Sequence, residues 1–198
     1  MSHTYSYTPT VLDEAVATSV GFLRQAPYLA QPERNRNYSE GDIWEAWQHS
    51  IAALSEIAFA AMIGYPNFIP SYNTHKSEPD VYGWEVRYGF SQDDGLPPTH
   101  MRYSGTIDNN KLPYAFLVGG PEKKFKRSAS TNYEGMPITA LGWIWGVDAA
   151  VPEHYIGDNE RGVPQYKVPV SALRPDLRIA EAFHFIDFMG GSETIKKM

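Results

Sequence analysis

Apolar residues recur at helical spacing through the first third of the chain, and beyond it they alternate or cluster in short runs. Over Val11–Arg24 that spacing predicts a helix, opened by Thr10 with Asp13 three positions later and closed by Pro27. Residues 1–8 are polar and read as loose. A second, longer helix is predicted from the capping pair Ser39 and Asp42 to about Ile63, with Gly64 and Pro66 as stop signals. Its main apolar stripe is Ile43, Trp47, Ile51, Leu54, Ala58 and Ala61. From Ile51 to Ile63 the helix is apolar almost all round, and Glu56 is the only charge in that run. Glu56 lies opposite the stripe, on a face with His49, Ala52, Ala60 and Ile63. A carboxylate there is costly unless it reaches water beside Ser55, pairs with an arginine, or meets a metal.

After a Pro- and Asn-containing loop over 66–79, the period falls to two. Trp84, Val86 and Tyr88 alternate with Glu85 and Arg87, which predicts a strand entered through a bend at Gly83. Further strands are expected at Met101–Ile107, Pro113–Val118, Ile138–Trp145 and Tyr166–Val170. Trp143 and Trp145 should share one face of theirs, with Ile144 on the other. Asp148–His154 suggests a brief helix, and Leu173–Phe188 shows roughly helical spacing. Helices first and strands after predict an α+β fold, with one mixed, mostly antiparallel sheet packed against the N-terminal helices. The chain reads as a single domain, residues 1–198, with an N-terminal helix at 10–26, a core over about 40–155 and a C-terminal extension at 156–198.

Composition narrows the chemistry. The net charge of −6 argues against a protein that coats nucleic acid through bulk charge. The absence of cysteine removes thiolate metal sites, thiol catalysis and disulfides. No apolar run approaches 18 residues and no signal-peptide pattern opens the chain, so a soluble, cytoplasmic protein with no membrane partner is expected. The six histidines show no metal-ligand spacing, and no phosphate loop, nucleophile elbow or dinucleotide fingerprint is present.

What remains is Pro79-Asp80-Val81-Tyr82-Gly83-Trp84-Glu85-Val86-Arg87. Glu85 and Arg87 project from one face of a strand, about 7 Å apart, and a turn over Val81–Gly83 can bring Asp80 close to Glu85. Two oxygen-donor acids and a cation on one surface are the parts of a divalent-metal phosphodiester site. The bland alternative is a solvated turn acid and a strand acid paired with Arg87. Downstream, Lys123, Lys124, Phe125, Lys126 and Arg127 could track a phosphate backbone, with Phe125 stacking on a base, or form a solvated hairpin tip.

Glu56 on a helix, Pro79-Asp80 at a turn and Glu85-x-Arg87 on a strand together resemble the PD-(D/E)XK superfamily, which includes restriction endonucleases, phage exonucleases and Holliday-junction resolvases. Gly142-Trp143-Ile144-Trp145-Gly146 is similar to a strand end in small phage-encoded proteins with that core. The likeness covers roughly residues 40–155. It implies a restriction-endonuclease-like core, DNA as partner and Mg²⁺ or Mn²⁺ as cofactor. It further implies metal ligation by Asp80, Glu85 and the Val86 carbonyl with help from Glu56, and catalytic roles for Glu56, Asp80, Glu85 and Arg87. Many members pair to cut two strands, so it also allows a homodimer. The superfamily's usual lysine is Arg87 here. A guanidinium stays charged and cannot serve as a base, although it can hold a phosphate. A scaffold retained for binding without catalysis therefore stands as the alternative, as does an aromatic-rich partner-binding module with solvated acids.

Overall fold

A computed structural model of the chain describes residues 5–29, 42–72, 79–104, 111–121, 136–160 and 162–178. Helix α1 spans Val11–Leu29 and α2 spans Asp42–Met62. The predicted box opens α1: the Asp13 N–H donates to Thr10 Oγ1 (3.2 Å), and the Thr10 N–H donates to Asp13 Oδ2 (2.7 Å). The Tyr7 hydroxyl also donates to Asp13 Oδ2 (2.7 Å), tying the chain before the helix to its first turn. The helix passes through Pro27 where a stop was expected. Only two residues follow the proline, so its missing N–H and its ring clash are confined to the final turn. The end of α2 is as the sequence predicts. Gly64 takes φ +97°, its N–H donates to the Ala61 carbonyl (3.1 Å), and the Tyr65 N–H donates to the Ala60 carbonyl (2.8 Å). That is a Schellman motif, whose left-handed residue is cheapest as glycine.

The strands form two sheets where one was expected. In the first, β1 (Ser6–Tyr7), β5 (Ile138–Trp145), β4 (Pro113–Pro121) and β2 (Glu85–Ser91) lie in that order, with β2 parallel to β4 and the other pairs antiparallel. In the second, β3 (His100–Ser104), β7 (Pro164–Pro169) and β6 (Tyr155–Asp158) are antiparallel throughout. The parallel pair arises because the chain leaves β2, spends β3 in the other sheet, and returns to start β4 from the same end. Residues 5–7, read as loose, hold the far edge of the first sheet: Ser6 and Tyr7 align with Thr139 and Ile138. A single helical turn, α3 (Gly146–Ala149), and a 3-10 turn at Pro152–His154 stand where one brief helix was predicted.

Three layers result, with the first sheet in the middle. On β4, Ala115 and Leu117 face α1 and α2, while Tyr114 and Phe116 face Met101, Tyr103 and Val168 of the second sheet. Burial on both faces is why this strand reads as an unbroken apolar run. On β5, Trp143 packs on the helix side against Trp84 (ring centres 5.5 Å apart) and Ile144 on the other, the alternation expected. Residues 156–160 and 162–178 belong to this architecture rather than to an extension. Val168 and Leu173 fill the second core, Leu177 the first, and Arg174 bridges Trp143 of β5. Of the helical spacing over Leu173–Phe188, a helical residue is reached at Arg178, and residues 179–188 lie outside the described residues.

The two helices approach backbone to backbone at Gly21. A Cβ on Gly21 of α1 would meet the Ser50 hydroxyl, the Ser50 backbone nitrogen at 2.6 Å and the Ala46 carbonyl at 2.7 Å. Backbone atoms cannot step aside as a side chain can. Gly21→Ala is therefore expected to destabilise by about 2 kcal/mol, overpacking outweighing the roughly 1 kcal/mol that alanine gains in helix propensity. The thermal midpoint should fall by about 4–8 °C. An unchanged midpoint would mean that the helices have room to separate.

Candidate active site

The predicted bend is a two-residue turn closing a short antiparallel bridge between Val81 and Trp84. The Val81 N–H donates to the Trp84 carbonyl (3.0 Å) and the Trp84 N–H to the Val81 carbonyl (2.8 Å). Tyr82 and Gly83 both take positive φ, 43° and 86°. Two left-handed residues define a type I′ turn, which suits Gly83 and strains Tyr82. The turn folds Asp80 back on the start of β2, where its Oδ2 accepts the Val86 N–H (2.9 Å).

Along β2, Val86 turns into the helix-side core, and Glu85 and Arg87 turn the other way. Arg87 lies over the ring of Tyr114, 5.4 Å from its centre, on the side of the second sheet. One guanidinium nitrogen, Nη1, gathers three oxygens: Asp80 Oδ2 at 3.9 Å, Glu85 Oε2 at 3.5 Å and the Val86 carbonyl at 3.4 Å. Sharing one nitrogen keeps the two carboxylates near each other. The turn and the strand thus bring Asp80, Glu85 and Arg87 together as the spacing predicts, with the Val86 carbonyl beside them. The arginine sits among the oxygens assigned to a metal.

Glu56 resolves differently. It is 3% exposed, so the water-facing reading fails. Its Oε1 and Oε2 accept hydrogen bonds from Nη1 (2.8 Å) and Nη2 (2.9 Å) of Arg24 on α1, a bidentate fork. The Nε of Arg24 donates to the Ser71 carbonyl (2.9 Å), so the fork is anchored to the loop after α2. Burial pushes the Glu56 carboxyl up from its ordinary 4.5 to about 7 against the lowering effect of Arg24. The Asp80 charge adds to the rise and Arg87 opposes it, so the helix acid and the strand site feel one another.

Arg24 is the functional neighbour that the sequence reading passes over. Its signal is faint: one cation on the inward face of α1 with Ala17, Val20 and Gly21, mirroring one acid on the inward face of α2. Lys123, Lys124, Phe125, Lys126 and Arg127 lie outside the described residues.

The donors fit a hard cation only in part. Asp80, Glu85 and the Val86 carbonyl are oxygen ligands of the kind Mg²⁺ prefers, and they already converge on a positive centre. Glu56 does not fit, because both of its oxygens are taken by Arg24. Among the described residues, no group of three or more acids, histidines or cysteines is placed to hold a metal ion.

The molecule is an α+β protein with helices over one face of a mixed sheet and a second sheet over the other. No helix among the described residues is long and apolar enough to cross a membrane. No protein-family model, no curated protein and no solved structure matches the chain.

Proposed function

We propose that this protein is a metal-dependent DNA nuclease of PD-(D/E)XK type, working on a restriction-endonuclease-like core formed by α2, β2, β4 and β5. The observation that carries the reading is the convergence of Asp80, Glu85 and the Val86 carbonyl on the cationic Nη1 of Arg87. Three oxygens around one positive point can serve a divalent cation once the arginine swings aside.

Asp80 and Glu85 would hold Mg²⁺ or Mn²⁺, with the Val86 carbonyl as a neutral third ligand. When bound, the ion lowers the pKa of its water and offsets charge on the phosphate. The chain's own residues do the rest. The Val86 N–H fixes the Asp80 carboxylate in place, and Arg87, released from the acids, donates to a non-bridging phosphate oxygen. Its permanent charge stabilises the negative charge that builds on the phosphoryl oxygens, and it takes no proton. The Arg24–Glu56 fork stands behind this layer as a support, not as a ligand.

A second reading has its own observation. Every acid at the site already has an arginine beside it, Glu56 through Arg24 and the other two through Arg87, as in a scaffold kept for binding DNA or another partner without cutting.

Incubating the protein with single-stranded, duplex and branched DNA in Mg²⁺ or Mn²⁺, against an EDTA control, separates the two. Metal-dependent cleavage supports the nuclease. DNA retained but uncut, by the wild type and by Arg87→Lys alike, supports the binding protein. Absence of both binding and cleavage removes both.

A further inference from the structure

Away from this site, α1 presents a face that nothing among the described residues covers. Val11 and Leu12 are 71% and 72% exposed, and Phe22 and Leu23 are 57% and 53% exposed. Ala15, Ser19 and Ala26 are exposed between and beyond them. At 100° per residue these seven positions fall within one stripe about 120° wide. The stripe carries no charge. The nearest acids are the flanking Glu14 and Asp13, and Asp13 is engaged by Thr10 and Tyr7.

The order of sizes along the stripe identifies its occupant. Large residues stand at 11 and 12, small ones at 15 and 19, large ones again at 22 and 23, symmetric about position 17. When a second α1 is laid antiparallel with its midpoint over Ala17, Val11 and Leu12 come level with Phe22 and Leu23 of the other copy. Ala15 comes level with Ser19, and those small residues let the backbones approach where the helices cross. A surface that matches itself under a two-fold rotation is what an isologous dimer requires.

Charge points the same way. Two chains of net charge −6 repel, and this stripe is a place where they can meet without opposing acids. A nucleic acid or an anionic membrane surface would need cations along the helix. The only one on α1 is Arg24, buried on Glu56.

We infer that α1 is a self-association surface through which two copies of this chain pair with antiparallel helices. Seven residues a side fall well short of the roughly 20–30 of a standard stable interface, so the dimer is weak and concentration-dependent.

Sedimentation equilibrium of the full chain between about 10 and about 500 μM tests this, a range that brackets weak association. The weight-average mass should climb from the 22.3 kDa monomer toward twice that value and stop there. Phe22→Glu and Leu12→Glu should each hold it at the monomer without lowering the thermal midpoint, since both side chains are exposed in the single chain. Geometry gives a separate readout. The chain has no cysteine, so a spin label on Ala26→Cys reports one distance. In the antiparallel pair the two labelled positions are offset along the helices by 18 residues of rise, about 27 Å, whereas a parallel pair brings them side by side. A constant monomer mass, undiminished association of both glutamate variants, species larger than a dimer, or a short label distance would each overturn the inference.

Discussion

Asp80→Asn and Glu85→Gln are each expected to lower metal-dependent DNA cleavage by at least about 100-fold, since even outer-shell partners of a metal cost 10–100-fold when removed. Both changes keep shape and delete charge. Asparagine retains an oxygen for the Val86 N–H, so the turn should survive and the thermal midpoint should move little. The loss should appear in titrations with Mn²⁺ as well as in the cleavage assay, because each variant removes one of the two carboxylates that face Nη1. An Asp80→Asn protein that cuts DNA as well as the wild type would leave the acids with a structural role only. Arg87→Lys provides the contrast: it keeps the charge, loses the forked donor and adds a group able to shed its proton.

The largest expected effect on stability belongs to Arg24. Arg24→Met leaves Glu56 buried with no cation, and breaking a buried pair from one side costs about 3–5 kcal/mol. The cost depends on pH. The folded-state pKa of Glu56 already stands near 7, above its ordinary 4.5, so between these values the folded chain binds more protons than the unfolded one. Stability from this group is therefore present at low pH and falls as pH rises through that window. Removing Arg24 takes away the main influence that lowers the pKa, so the window extends upward. Urea melts at about pH 5 and about pH 8 should show a smaller deficit at the lower value. The double variant Arg24→Met/Glu56→Leu should recover much of the loss, because an apolar pair of similar volume suits the site. A deficit that ignores pH, or a double variant as unstable as the single, would show that the fork is not what holds the helices together.

Local signals carried the parts of the fold that depend on near neighbours. Thr10 with Asp13, and Gly64 at the end of α2, act within one helical turn, and both were legible. The alternation of Trp143 and Ile144 across β5 was legible for the same reason. The turn at Tyr82 and Gly83, which sets Asp80 beside β2, could be inferred because only four residues lie between Asp80 and Glu85.

Pairings between distant segments were not legible. Ser6–Tyr7 is too short to show a period, and its identity as a strand comes from β5, more than 130 residues on. The parallel alignment of β2 with β4 depends on β3 leaving for another sheet, which no pattern within β2 or β4 encodes. Glu56 illustrates both halves. Its burial could be read from the apolar run around it, and pairing with some arginine was one open reading. Nothing in α2 specifies Arg24, 32 positions earlier on another helix, and not a metal.

The placement of β1 also bears on how the chain reaches its native state. An edge strand drawn from the start of the polypeptide must wait for a partner made from its last third, and Trp143 must in turn find Arg174. Such closures cost chain entropy before they return any contact energy, which places this topology among slow folders beside helical bundles of similar size. During that wait α1 and α2, which pair across only about 30 residues against more than 130 for β1, can dock around Gly21 and shelter Glu56, leaving the sheet to assemble on a helical base.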